Sequence, residues 1–173
     1  MQGGNNLYAL VMGTRRCFGT FLGSGLSLLL PECAHPAPSG PQPPLTTATE
    51  FCRLMETVAR GWNTNNARLA ADCFAEGALY SAPPDPKIRR GKKELFEFFG
   101  GLSGRPRPMQ MTWHHLAFDP PRQIGFGEYT FTYKERTHGI VVVHIVDRHI
   151  ANWREYEHVS PLSWEQLVGE NKF

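Results

Sequence analysis

The sequence predicts an α+β domain in which helices cover one face of a bent, mostly antiparallel sheet. Three observations predict it. Apolar residues recur at three-and-four spacing only in the stretch from 47 to 99. Four runs with strand character then follow one another between residues 109 and 158. The last two of these, Ile140 to His158, read IVVVHIVDRHIANWREYEH, two strand-forming runs around a short polar break.

In the first helix, Thr47 with Glu50 three residues on makes a capping box, and Phe51, Leu54, Met55, Val58 and Trp62 form one stripe. Asn63 to Asn66 is a turn cluster, after which Leu69, Ala70, Cys73 and Phe74 predict a short second helix ended by Gly77. Ala78 to Ala82 reads as a strand stopped by Pro83-Pro84, because proline cannot donate to a ladder. Gly91 precedes a third helix, Lys92 to Phe99, closed by Gly100-Gly101. The strands that follow are expected over 109–118, 124–135, 139–147 and 150–158, with a helical turn over Ser163 to Leu167.

Ahead of the domain, residues 1–45 read as an export signal and a Pro-rich tether. Arg15-Arg16 with Phe18 lies before an apolar run to Leu30, and Ala37 to Pro44, APSGPQPP, separates this segment from the rest. The paired arginines resemble a twin-arginine signal, and Met12 offers an alternative start. The expected localisation is therefore periplasm or cell envelope. LLLPEC resembles a lipobox, but Glu32 stands where that box has a small residue, so membrane association is expected only if Cys33 is lipidated.

A net charge of +2 and the lack of a clustered basic stripe argue against nucleic acid as a partner. The domain holds two cysteines, Cys52 and Cys73, with no C-x-x-C pair to suggest zinc or redox chemistry. Two small buried thiols are the plainer reading; export would permit a disulfide between them. No metal and no cofactor are expected.

The candidate chemistry comes from the hairpin. A two-residue loop at Arg148-His149 would set His144 opposite Trp153 and Val142 opposite Glu155, all on one face. His144 beside Glu155 would then form an acid/base pair, with Tyr80 donating a hydrogen bond to developing negative charge. Trp62, Phe98, Trp113 and Trp153 would wall an apolar site. A loop longer by one residue would break this arrangement. Val141, Val143 and Ile145 would face outward, an apolar set for a homodimer to cover.

The order of motifs resembles a known family. The C-F-A-E-G-A-x-Y strand, the Pro/Asp loop, the R-x-G-x-x-E-L-x-x-F-F helix and the closing V-D-x-x-I-x-x-W-R-E-Y hairpin are similar to the SnoaL-like branch of the nuclear transport factor two superfamily, over about Thr47 to Ser160. The resemblance implies a domain over 46–173 with a cone-like curved sheet, three N-terminal helices packed on its concave face, and an apolar pocket at the open end. It also implies frequent dimers. It places the ketosteroid isomerase catalytic aspartate at Ala82, the oxyanion-binding tyrosine at Val58 and the second acid near Val142, so that acid/base set is absent here. The Asp-Arg-Asp set of the epoxide hydrolases is not evident either. The function expected is binding of a small hydrophobic metabolite; the alternative is a cofactor-independent lyase, isomerase or hydrolase using His144 and Glu155.

Overall fold

A computed structural model describes residues 44–172. The export segment and most of the tether expected over residues 1–45, with Cys33, lie outside the described residues. The elements are α1 (Ala48–Asn63), α2 (Ala67–Ala71), β1 (Phe74–Ser81), β2 (Arg89–Arg90), α3 (Gly91–Phe99), β3 (Gln110–Asp119), β4 (Ile124–Thr132), β5 (Arg136–Val146), β6 (His149–Val159) and α4 (Trp164–Val168). The six strands form one curved, unclosed sheet in the order β2-β1-β6-β5-β4-β3, antiparallel except where β1 runs parallel to β6.

The local signals explain most boundaries. Thr47 accepts from the Glu50 N–H while Glu50 Oε2 accepts from the Thr47 N–H at 2.8 Å, so the predicted capping box closes the start of α1. Phe51, Met55, Val58 and Trp62 are all buried along that helix. The second helix stops at Ala71 and not near Gly77. Phe74 opens β1 instead, and the Cys73 carbonyl accepts from the Ile150 N–H, which ties this segment to β6. Phe74 is apolar and fully buried, and a short apolar run suits a buried strand as well as a helix, so periodicity could not separate the two. Cys52 and Cys73 are free thiols, and burial pushes the Cys73 thiol up to about 11.

The decisive difference from the sequence reading lies in the β5-β6 hairpin. Its loop is Asp147-Arg148, both at positive φ (48° and 63°), and Val146 pairs with His149. Positive φ at both central residues is the condition for a type I′ turn, which matches strand twist. The register then shifts by one residue between Ile145↔Ile150 and His144↔Asn152, leaving Ala151 as the extra residue of a bulge. Beyond it, Val143 pairs with Trp153 and Val141 with Glu155.

This reverses the expected faces. Val141, Val143 and Ile145 are buried in the core, not outward on a dimer surface. The outward set is Ile140, Val142, His144 and Val146, joined by Tyr156 and Phe126. The helical turn expected over Ser163 to Leu167 is present as α4, beside the three N-terminal helices. Trp164 stacks on His114 with ring centroids 3.7 Å apart. His114 Nε2 lies 2.7 Å from Thr130 Oγ1, Thr130 Oγ1 lies 2.9 Å from His138 Nδ1, and His138 Nε2 lies 3.0 Å from the Leu162 carbonyl.

Candidate functional site

On the inner side of the sheet a cavity of about 400 Å³ opens between α1, β1, α3 and the ends of β3, β4 and β6. Its lining is mostly apolar and aromatic, including Trp62, Phe98, Phe99, Met109, Met111 and Phe131. Such a lining with few polar groups is the usual character of a small-molecule site. The polar groups are Tyr80, Tyr129 and Glu155 inside, with the exposed Glu157 at the rim and Asp85 and Arg89 from the segment between β1 and α3.

Glu155 is the chemical centre. The bulge at Ala151 turns Trp153 and Glu155 inward together, and Glu155 is 8% exposed. Its Oε1 accepts from the Tyr80 hydroxyl at 2.6 Å; its Oε2 accepts from Trp153 Nε1–H at 3.0 Å and, at a stretched 3.5 Å, from the Tyr129 hydroxyl. All three donors are neutral, so none offsets the loss of water as a cation would. Burial is therefore the dominant effect and pushes the Glu155 carboxyl up to about 7, against the hydrogen bonds from Tyr80 and Trp153. Burial first, and the nearby Glu155 carboxylate second, hold both Tyr80 and Tyr129 well above the usual phenol range, so they remain donors.

The aromatic wall is tied to this carboxyl. Tyr80 stacks on Trp153 at 5.8 Å and 7°, and meets Phe98 edge-on at 5.6 Å. Trp62 is 3% exposed, and its Nε1–H is buried without an acceptor. At the rim, the Arg89 guanidinium lies 3.7 Å over the Phe98 ring and pairs with Asp85 at 3.1 Å, while its Nη1 has no partner.

The expected residues are thus brought together only in part. Tyr80, Glu155, Trp62 and Phe98 meet in the cavity; Trp153 stands behind Tyr80 as a donor to Glu155. Trp113 does not reach it: the ring packs over Gly127, and its Nε1–H donates to the Met55 carbonyl at 2.9 Å. His144 is on the opposite face, exposed, with Nδ1 3.3 Å from Asn152 Oδ1. The His144–Glu155 pair does not exist, because the bulge gives the two residues different faces. Tyr80 also differs from expectation, since its proton is directed at Glu155. Tyr129, Glu157 and Arg89 escaped the sequence reading, although Tyr129 and Phe131 alternate inward on one strand and could have been found by period two.

Ala82 lines the cavity, Val58 is buried in α1 and Val142 is outside, so the positions that would carry an isomerase acid/base set hold none. Among the described residues no group of three His, Cys, Asp or Glu is arranged to hold a metal ion.

The described fold is shared with many solved structures. It is similar to a nuclear-transport-factor-two-like protein of unknown function from Burkholderia xenovorans LB400, at 9% identity over 72% of this chain and 97% of that one, with a TM-score of 0.56. It is similar to an epoxide hydrolase from M. tuberculosis at 16% identity over 64% and 84% of the two chains, TM-score 0.53. A protein of unknown function with a cystatin-like fold from Methylobium petroleophilum PM1 gives 17% identity over 70% and 83%, TM-score 0.57. At these identities the likeness shows the fold alone. No curated protein matches the sequence. The family model described as the SnoaL-like domain matches residues 55–153, more than half of the chain, from the middle of α1 to the Trp153 that backs the cavity. The chain belongs to the SnoaL-like family.

Proposed function

We propose that the cavity binds a small, largely apolar, oxygen-bearing molecule and that Glu155 exchanges a proton with it. The observation that carries this reading is a carboxyl buried in an aromatic wall, hydrogen-bonded only by neutral donors, whose proton affinity sits near neutrality. A general base works best when its pKa is close to the working pH. A carboxylate has about four acceptor sites; Tyr80, Trp153 and Tyr129 occupy three, which leaves one for a substrate proton. The chemistry that fits is proton abstraction beside a carbonyl, or activation of a water that opens an epoxide. Trp62 Nε1–H and Arg89 Nη1 supply donors for ligand oxygens.

A binding role without turnover is favoured by one observation: three donors already satisfy Glu155, as in a structural carboxylate. One experiment separates the two. Enolisable ketones and epoxides are screened by tryptophan fluorescence for binding, then for turnover. Acid/base work requires a rate that rises with pH through about 7 and falls by about 10²- to 10⁴-fold in Glu155→Gln with binding retained. Turnover unchanged in Glu155→Gln would sink the catalytic role, and binding with no turnover would leave the module that only holds its ligand.

The reading extends to export and assembly. The paired arginines and the tether support an envelope location, tested by N-terminal sequencing of the envelope fraction; an intact N-terminus in the cytoplasm would overturn it. Ile140, Val142, Val146, Tyr156 and Phe126 support a homodimer through the outer sheet face, and a monomer in sedimentation at micromolar concentration would count against it.

A further inference from the structure

We infer that Tyr129 relays protons between the buried Glu155 and the exposed Glu157 at the cavity rim, so that Glu155 exchanges its proton with water through the side of the cavity and not through the ligand. The inference rests on the acid/base reading of Glu155 and adds the route by which that group is reset.

The route is built into the sheet. Tyr129, Gly139 and Glu157 lie side by side on β4, β5 and β6, since Tyr129 pairs with Gly139 and Gly139 with Glu157. A Cβ at position 139 would lie 2.8 Å from both Cζ and the hydroxyl of Tyr129, so the missing side chain is what lets the phenol lie across β5. Having crossed, its hydroxyl reaches Glu155 Oε2 at 3.5 Å and points to the strand on which Glu157 stands in register, both residues lining the same cavity. Glu155 and Glu157 are two residues apart on one strand, hence on one face. Glu157 is exposed, and its Oε2 is held by the Thr137 hydroxyl at 2.8 Å. Tyr80, Asp85 and Arg89 are the other ionisable groups lining the cavity, and the Tyr80 hydroxyl is committed to Oε1 of Glu155.

The transfer balances without a co-reactant. A proton on Glu155 Oε2 passes to Tyr129 Oη as the phenol's own proton passes to Glu157; the phenol stays neutral, and one negative charge moves from Glu157 to Glu155. Because the phenol resists ionisation, the two transfers occur together. The stretched 3.5 Å contact shortens when the relay operates, as catalytic hydrogen bonds commonly do on ligand binding.

The test uses the whole protein and a light-released proton. Time-resolved infrared spectroscopy follows the carboxylic C=O band that disappears in Glu155→Gln. Tyr129→Phe and Glu157→Gln are each expected to slow protonation of Glu155 by about tenfold or more, while Tyr129→Phe leaves its midpoint near neutrality. Glu157→Gln changes only the exposed rim, so it decides the matter even if Tyr129→Phe misfolds. Wild-type protonation rates in Glu157→Gln overturn the relay while leaving Glu155 as base. A Glu155 band that titrates in the ordinary carboxylate range overturns the acid/base reading, and the relay with it.

Discussion

The Tyr80 hydroxyl donates to Glu155 Oε1 across 2.6 Å, between two strands that run parallel and far apart in sequence. This bond fixes the carboxyl but does not keep it ionised, since burial outweighs it. The folded protein therefore holds a proton on Glu155 up to about pH 7, whereas the unfolded chain releases it near 4.5. More protons are bound in the native state across that window, so stability falls as pH rises from about 4.5 to about 7. The contribution is on the order of 3 kcal/mol. Denaturant melts at several pH values should show this slope in the wild type and its flattening in Glu155→Gln.

Gly139→Ala should destabilise the domain by roughly 1–3 kcal/mol, the range for forcing a methyl group into packed space. Its Cβ would meet the Tyr156 carbonyl at 2.5 Å as well as the Tyr129 phenol. The same change should displace Tyr129. Urea melts and the ultraviolet absorbance of the tyrosines would record both effects.

The loop Asp147-Arg148 places two side-chain-bearing residues in the left-handed region, where Asn-Gly is preferred. The double change Asp147→Asn, Arg148→Gly should raise stability by roughly 0.5–1 kcal/mol, since relief of strain exceeds the added flexibility of glycine. Loss of the exposed Arg148–Glu50 pair, at 3.5 Å, subtracts little. Thermal melts measure the sign.

The clasp between α4 and the sheet should weaken in acid. Burial holds the His114 imidazole below its usual 6.5, against the pull of Glu128 and, more weakly, Glu165, while His138 and His115 push the same way as burial. The unfolded chain then binds the extra proton first, so stability is lost as pH falls below about 6.5. Amide exchange across Trp164 to Val168 should accelerate there, and Trp164→Ala should give the fast exchange at any pH.

His144→Ala should leave ligand binding unchanged and shift stability by no more than about 0.5 kcal/mol, as for other surface sites. The residue is exposed on the outer face with one weak partner, Asn152. Calorimetry against any ligand found in the screen checks it.

The first and third helices and the four antiparallel strands were legible because their signals are local. The capping box at Thr47 and Glu50, the prolines after Ser81 and the glycines after Phe99 each act within a few residues. Tyr80, Glu155, Trp62 and Phe98 were legible as candidate pocket residues, and they meet in the cavity. The partner of Glu155 was not. Whether His144 or Tyr80 reaches it depends on strand parity, which the turn and the bulge decide together. Asp147 and Arg148 give no glycine to mark the turn, and Ala151 gives no sign of a bulge. Tyr129 stayed hidden for a similar reason, since its reach depends on Gly139 in another strand.

The extra residue at Ala151 also decides which chemical group occupies the cavity. Were Ala151 paired in the ladder and not bulged out, the alternation would turn Arg154 inward and Glu155 out, exchanging an acid for a permanent cation. A relative with a regular strand here keeps an acid at this place only if it is one residue shorter, and its columns past Ile150 match this chain's across a one-residue gap. Among such proteins the presence of this bulge, as much as the identity of the residues, divides pockets that take up protons from pockets that attract anions.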